Sequence, residues 1–134
     1  MSLATRLAQF LIRALGTIML ILGLLFWTGN ALTLIPVHML LGLLLVLTLW
    51  TLAALAARAG VDLRLVLLAV AWGVIVPILG VMQDSLLVGP AHVLIQLLHL
   101  SVGLAAIALG ELLGRGARLR LRNRPQRRAA SLAA

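Results

Sequence analysis

Four stretches of this chain are apolar over a length that crosses a lipid bilayer, and that feature fixes most of what the sequence can become. A transmembrane helix needs about 20 mostly apolar residues. Residues 10–29, 36–57, 64–82 and 90–113 each meet the requirement. Of the 134 residues, 63% are hydrophobic and 10% are charged, and mean hydropathy is +1.19. Those values exclude a soluble globular domain and a disordered one. Pro36 and Pro90 stand at the starts of the second and fourth segments, where the missing proline N–H costs nothing. Gly60 and Gly114 follow the ends of the same two segments, as C-terminal glycines do. The expected fold is an all-α integral membrane bundle of four transmembrane helices, residues 1–113, followed by a basic cytoplasmic tail, residues 114–134. The first segment is read as a span and not as a cleaved leader.

Arginine sets the orientation. The chain has eleven basic and three acidic residues, a formal net charge of +8. Every basic residue is arginine, the habit of a GC-rich bacterial genome. Arg6 and Arg13 stand at the start of the first span, Arg58 and Arg64 flank the loop between the second and third, and the rest run from Arg115 to Arg128. The other two loops, near residues 28–35 and 83–89, hold no basic residue. By the positive-inside rule both termini lie in the cytoplasm of a bacterial inner membrane. The tail reads as a topology anchor resting on anionic lipid. No aromatic residue accompanies its arginines, so nucleic acid is not the expected partner. Pro125 and the Ala/Ser end read as frayed.

The two halves of the chain overlap when shifted by 54 positions. Pro36 then falls on Pro90, His38 on His92, Leu44 on Leu98, Ala54 on Ala108 and Gly60 on Gly114. Each half is a two-helix hairpin. An even number of spans per half makes the repeats parallel, related by an axis along the membrane normal. The second and fourth helices then run in the same direction, and the repeat sets His38 and His92 at equal depth.

An ionisable residue inside a membrane is a functional candidate. The chain has three histidines, all within or at the edge of a span. His92, Gln96 and His99 are spaced four and three apart, so they form one polar stripe on the fourth helix. Two histidines at equal depth on parallel helices can supply the axial nitrogens of a haem held between them. They can equally sit at the membrane interface as ordinary polar residues, or join a zinc or copper site. The absence of cysteine excludes covalent c-type haem, iron–sulfur clusters and thiolate metal sites.

With Pro36-Val-His38, with Pro90-Ala-His92-Val-Leu-Ile-Gln96-Leu-Leu-His99, and with its two hairpins, the chain resembles small four-helix membrane b-type cytochromes and their bacterial relatives. The resemblance covers most of residues 14–113. It implies a non-covalent haem b, in one copy or two, ligated by His38 and His92, with His99 as the alternative ligand and Gln96 beside them. It also implies one-electron transfer, with a quinone or a redox protein as partner, and no classical enzyme activity. The competing expectation is a cofactor-free accessory subunit of a larger membrane complex, since small size and leucine-rich spans suit that role as well. A small transporter built on parallel repeats is the third.

Other residues carry plainer expectations. Glu111 lies four before Arg115, a helical ion pair. Asp84 reads as a loop carboxylate and Trp27 as an interfacial belt residue. Trp50 and Trp72 read as packing, and Met39 and Met82 as filler. Pro77 should kink the third helix. Gly110-x-x-x-Gly114 has the form of a helix-dimerisation pair, and a homodimer follows from that reading.

Overall fold

The structure is a computed structural model that describes residues 3–133, with side chains described through Asn123; Arg124, Pro125, Arg127 and Arg128 lie outside the described side chains. Among the described residues all regular structure is helical. Helix α1 spans Leu3–Trp27, α2 Ile35–Ala59, α3 Leu63–Met82 and α4 His92–Ala133. Short 3-10 turns at Leu32–Leu34 and Gln83–Ser85 complete the loops at one end. All four helices are long and apolar enough to cross a membrane. Large apolar side chains such as Phe10, Ile78, Val81 and Leu94 point outward along them. Such a surface is stable in lipid and not in water.

The chain ends its helices where its glycines allow. Gly29 (φ +74°) follows α1, with its N–H donating to Phe26 O and the next N–H, from Asn30, to Leu25 O. Gly60 (φ +83°) follows α2 in the same way, with N–H bonds from Gly60 to Ala57 O and from Val61 to Ala56 O. This paired closure needs a left-handed residue, and glycine adopts that conformation without a Cβ penalty. Asp62 caps α3 by accepting from the Arg64 N–H at 2.8 Å. Pro36 lies in the first turn of α2, as its position in the sequence predicts.

Gly114 behaves differently. Helix α4 runs through it to Ala133, so the expected stop at residue 113 is absent. The reason is packing. Gly110 and Gly114 are buried against α1, where Ile12 and the Gln9 side chain fill the space a Cβ would need. Gly16 of α1 accommodates Ile107 of α4 in the same seam. The small-residue face read as a dimerisation motif is therefore used within the chain. Helix α1 also starts earlier than the first apolar segment, because Thr5, Ala8, Gln9 and Ile12 are buried in this seam.

Packing is centred on two helices. Helices α2 and α4 touch each other and both remaining helices, whereas α1 and α3 make no contact with one another. The sealed core is built on Val46, Leu49, Leu52 and Ala56 of α2, with Ile12, Ala69, Ala106 and Leu113 from the other three. Two indoles tie helices together: Trp50 Nε1 donates to Val70 O at 3.1 Å, and Trp72 Nε1 to Val102 O at 2.9 Å. Both tryptophans thus serve packing, as expected.

The core is not evenly distributed. We call the end with Arg6, Arg58, Arg64 and Arg115 the arginine end, and the end with His38, His92 and His99 the histidine end. Buried residues crowd the arginine half. In α1 Leu22 alone is buried after Gly16, in α2 none lies before Leu45, in α3 none lies after Val76, and in α4 Ile95 alone is buried before Val102. The bundle is densely packed at one end and more sparsely buried at the other.

Glu111 departs from its expected partner. Arg13 of α1 donates from Nε to Glu111 Oε1 at 2.6 Å and from Nη2 to Oε2 at 2.8 Å. The two-point geometry of a guanidinium on a carboxylate outcompetes the neighbouring Arg115 on the same helix.

Candidate cofactor site

The site lies where the core is sparser. Pro36 and the 3-10 turn before it fix the start of α2, which puts His38 one turn inside the helix. His99 is the eighth residue of α4. The structure sets these two rings together, with centroids 6.4 Å apart and planes inclined at 46°. Phe26 of α1 meets His38 edge-on, at 5.3 Å between centroids. His99 lies beside Gly80 of α3, where a Cβ would stand 3.4 Å from its Cε1. All four helices therefore contribute to the surroundings of the pair.

The Nδ1 atoms of His38 and His99 are both sealed from solvent with no hydrogen-bond partner. A buried polar nitrogen left unpaired costs on the order of 1–3 kcal/mol. Such atoms call for an explanation in terms of strain, an ion or a ligand.

His92 sits elsewhere. It is the first residue of α4, and its Nδ1 lies 3.1 Å from Leu86 O in the preceding loop. A carbonyl can only accept, so Nδ1 is the ring nitrogen that donates in this contact. Gln96 is half-buried on α4 between His92 and His99. Asp84 is exposed, and the loop bond of His92 goes to the Leu86 carbonyl instead of this carboxylate. Of the sequence candidates, the structure joins His38 with His99 and leaves His92 at the loop.

The separation of the two rings can be tested against a metal held between them. With two metal–nitrogen bonds of about 2 Å and each nitrogen about 1 Å from its ring centre, the centroids stand roughly 6 Å apart. The observed 6.4 Å is of that size, and it is also within the range of two rings in ordinary contact. Among the described residues no three His, Cys, Asp or Glu side chains gather around a common point. A zinc site takes three or four protein ligands. A haem iron takes two, because the macrocycle supplies the rest.

A second feature supports the same pairing. His38 is followed four residues later by Gly42, and His99 by Gly103. A Cβ on Gly103 would meet nothing within 4 Å, and one on Gly42 would meet only the flexible end of Met19. Each histidine thus has a bare turn beside it, on the side facing the arginine end. The offset between the two motifs is 61 positions, seven more than the repeat seen in the sequence. Burial follows this longer offset: Leu45, Leu49, Leu52 and Ala56 are buried on α2, and so are Ala106, Gly110, Leu113 and Ala117 on α4. Sequence reading passed over the repeated His-x-x-x-Gly, the one signal that could have identified the pair. Comparison of the chain with protein-family models, with curated proteins and with solved structures gave no match.

Proposed function

We propose that this chain is a small membrane b-type cytochrome in which His38 and His99 hold one haem b between α2 and α4. The observation that carries the reading is the ring pair itself: two imidazoles 6.4 Å apart, each with a sealed and unpartnered nitrogen. The histidine half of the bundle buries fewer side chains than the arginine half, and a large apolar group would add to its core. A haem supplies reversible one-electron chemistry.

The chain's own residues do the holding. His38 approaches from α2 and His99 from α4, the two helices that touch each other at the centre of the bundle. Gly103 leaves open space one turn from His99, and Gly42 faces the flexible end of Met19 one turn from His38. Phe26 restrains the rotation of His38 through its edge contact. The arginine distribution supports an inner-membrane protein with both termini in the cytoplasm and the histidine end outward. The contacts of α2 and α4, each with its own hairpin partner, with the other hairpin and with each other, have the form expected of two parallel repeats about an axis along the membrane normal. A quinone or a redox protein would exchange the electron at the histidine end.

Visible spectra of detergent-purified protein, air-oxidised and then dithionite-reduced, test the reading. The expected result is a sharp Soret band with the reduced α and β bands of six-coordinate haem b. His38→Ala and His99→Ala should each abolish that spectrum, and His92→Ala should keep it. Gly103→Leu should lose the haem with helix content intact, since its side chain enters open space. A featureless spectrum after expression with added haem overturns the proposal and favours the cofactor-free subunit. Loss with His92→Ala and retention with His99→Ala would instead return the ligand pair to His38 and His92.

A further inference from the structure

A second cluster lies at the arginine end. Glu111, Arg115, Arg118 and Arg122 are spaced by four, three and four residues, so they share one stripe of α4. Arg13 reaches this stripe from α1 through its two bonds to Glu111. The fields of Arg115 and Arg118 converge on the same carboxylate. Glu111 is the last acidic side chain in the sequence. One carboxylate therefore meets three guanidiniums, those of Arg13, Arg115 and Arg118, and its two oxygens are already occupied by Arg13. Arg13 itself remains 59% exposed beside its partner.

The depth of the cluster narrows what can neutralise it. Arg13 lies fourteen residues from Trp27 at the other end of α1, roughly 21 Å along the helix. The hydrocarbon layer is about 30 Å thick. The stripe from Glu111 to Arg122 covers roughly 16 Å more, and so starts about 9 Å inside the hydrocarbon boundary, crosses it near Arg118 and ends in the headgroup layer. Long arginine side chains there extend toward the interface. The anion that meets guanidiniums at that depth is a phosphodiester attached to acyl chains.

We propose that the α1/α4 face at the arginine end is a binding site for an anionic phospholipid headgroup, with Arg115 and Arg118 on its phosphate and Arg13, fixed by Glu111, beside them. The site is independent of the haem reading. It differs from a diffuse basic tail in that two arginines on the stripe matter more than two arginines elsewhere.

Full-length protein in detergent is titrated with phosphatidylglycerol or phosphatidylcholine, and bound lipid is counted by native mass spectrometry. The double variant Arg115→Gln/Arg118→Gln is compared with Arg58→Gln/Arg120→Gln, which removes the same charge away from the stripe. Expected is a loss of about tenfold or more in phosphatidylglycerol affinity for the first variant, little change for the second, and no discrimination with phosphatidylcholine. Equal losses in both variants, or none in either, overturn the proposal. Displacement of the lipid by inorganic phosphate at equal concentration would make the site one for a free anion and also overturn it. So would RNA binding that depends on Arg115 and Arg118 when lipid binding does not. Circular dichroism of each variant separates lost binding from lost fold.

Discussion

At the scale of single residues, glycine decides how closely these helices approach. Gly73 of α3 lies directly under the Trp50 indole, and a Cβ there would overlap the ring. That proximity lets Trp50 Nε1 reach the Val70 carbonyl one turn away. Gly73→Ala should therefore lower stability by about 1–3 kcal/mol, the usual cost of overpacking a tight contact. The thermal unfolding midpoint in detergent measures it. Gly73→Ala combined with Trp50→Leu should regain much of the loss, because the smaller side chain clears the space; an unchanged deficit would place the cause elsewhere. Serine and threonine act more locally. Thr48, Thr51 and Ser101 donate to carbonyls four residues earlier on their own helices, which satisfies their hydroxyls without a partner helix.

At the scale of elements, α1 is held to α4 by a seam of small residues and one ion pair. The seam is Gly16 with Ile107, Ile12 with Gly110 and Gln9 with Gly114. Arg13 and Glu111 close it on the exposed side. Removing one partner leaves a lone charge near the hydrocarbon, whereas removing both leaves none. Arg13→Gln and Glu111→Gln should each destabilise the protein more than the double variant does. A double-mutant cycle on thermal unfolding reads the coupling directly. Additive losses would show that the pair contributes nothing to holding the seam. The same seam explains why the sequence is ambiguous at Gly114. A glycine after an apolar run signals a helix stop, but a glycine facing another helix signals close packing, and only the neighbouring helix distinguishes the two.

At the scale of the whole molecule, the bundle has a densely packed half and a more sparsely buried half, and the proposed cofactor occupies the second. Orientation belongs to this scale, and the cysteine-free chain makes it simple to measure. Ser85→Cys, in the 3-10 turn after α3, should react with a membrane-impermeant maleimide on whole cells whose outer membrane is opened. Arg58→Cys, at the end of α2, should react only after the inner membrane is broken. The reverse pattern would invert the topology and put the histidine end in the cytoplasm.

Four helices, the approximate limits of α2 and α3, the Gly60 cap and the start of α2 near Pro36 follow from the sequence alone, whereas the start of α1 and the end of α4 do not. The reason is that lipid requires long apolar helices, and local backbone chemistry marks where they end. The three histidines stand out for a similar reason, since ionisable groups are rare inside spans. Which of them are partners does not follow. The Pro-x-His repeat matches His38 to His92, whereas the packing matches His38 to His99, two turns further along α4. Leucine-rich helices offer many nearly equivalent registers, and a repeat in sequence does not fix how far one helix slides past another. The slide is set by where bulky and small residues interlock at the arginine end, among Ile12, Gly110, Leu49 and Leu113. Burial there, far from the histidines, determined which two rings meet.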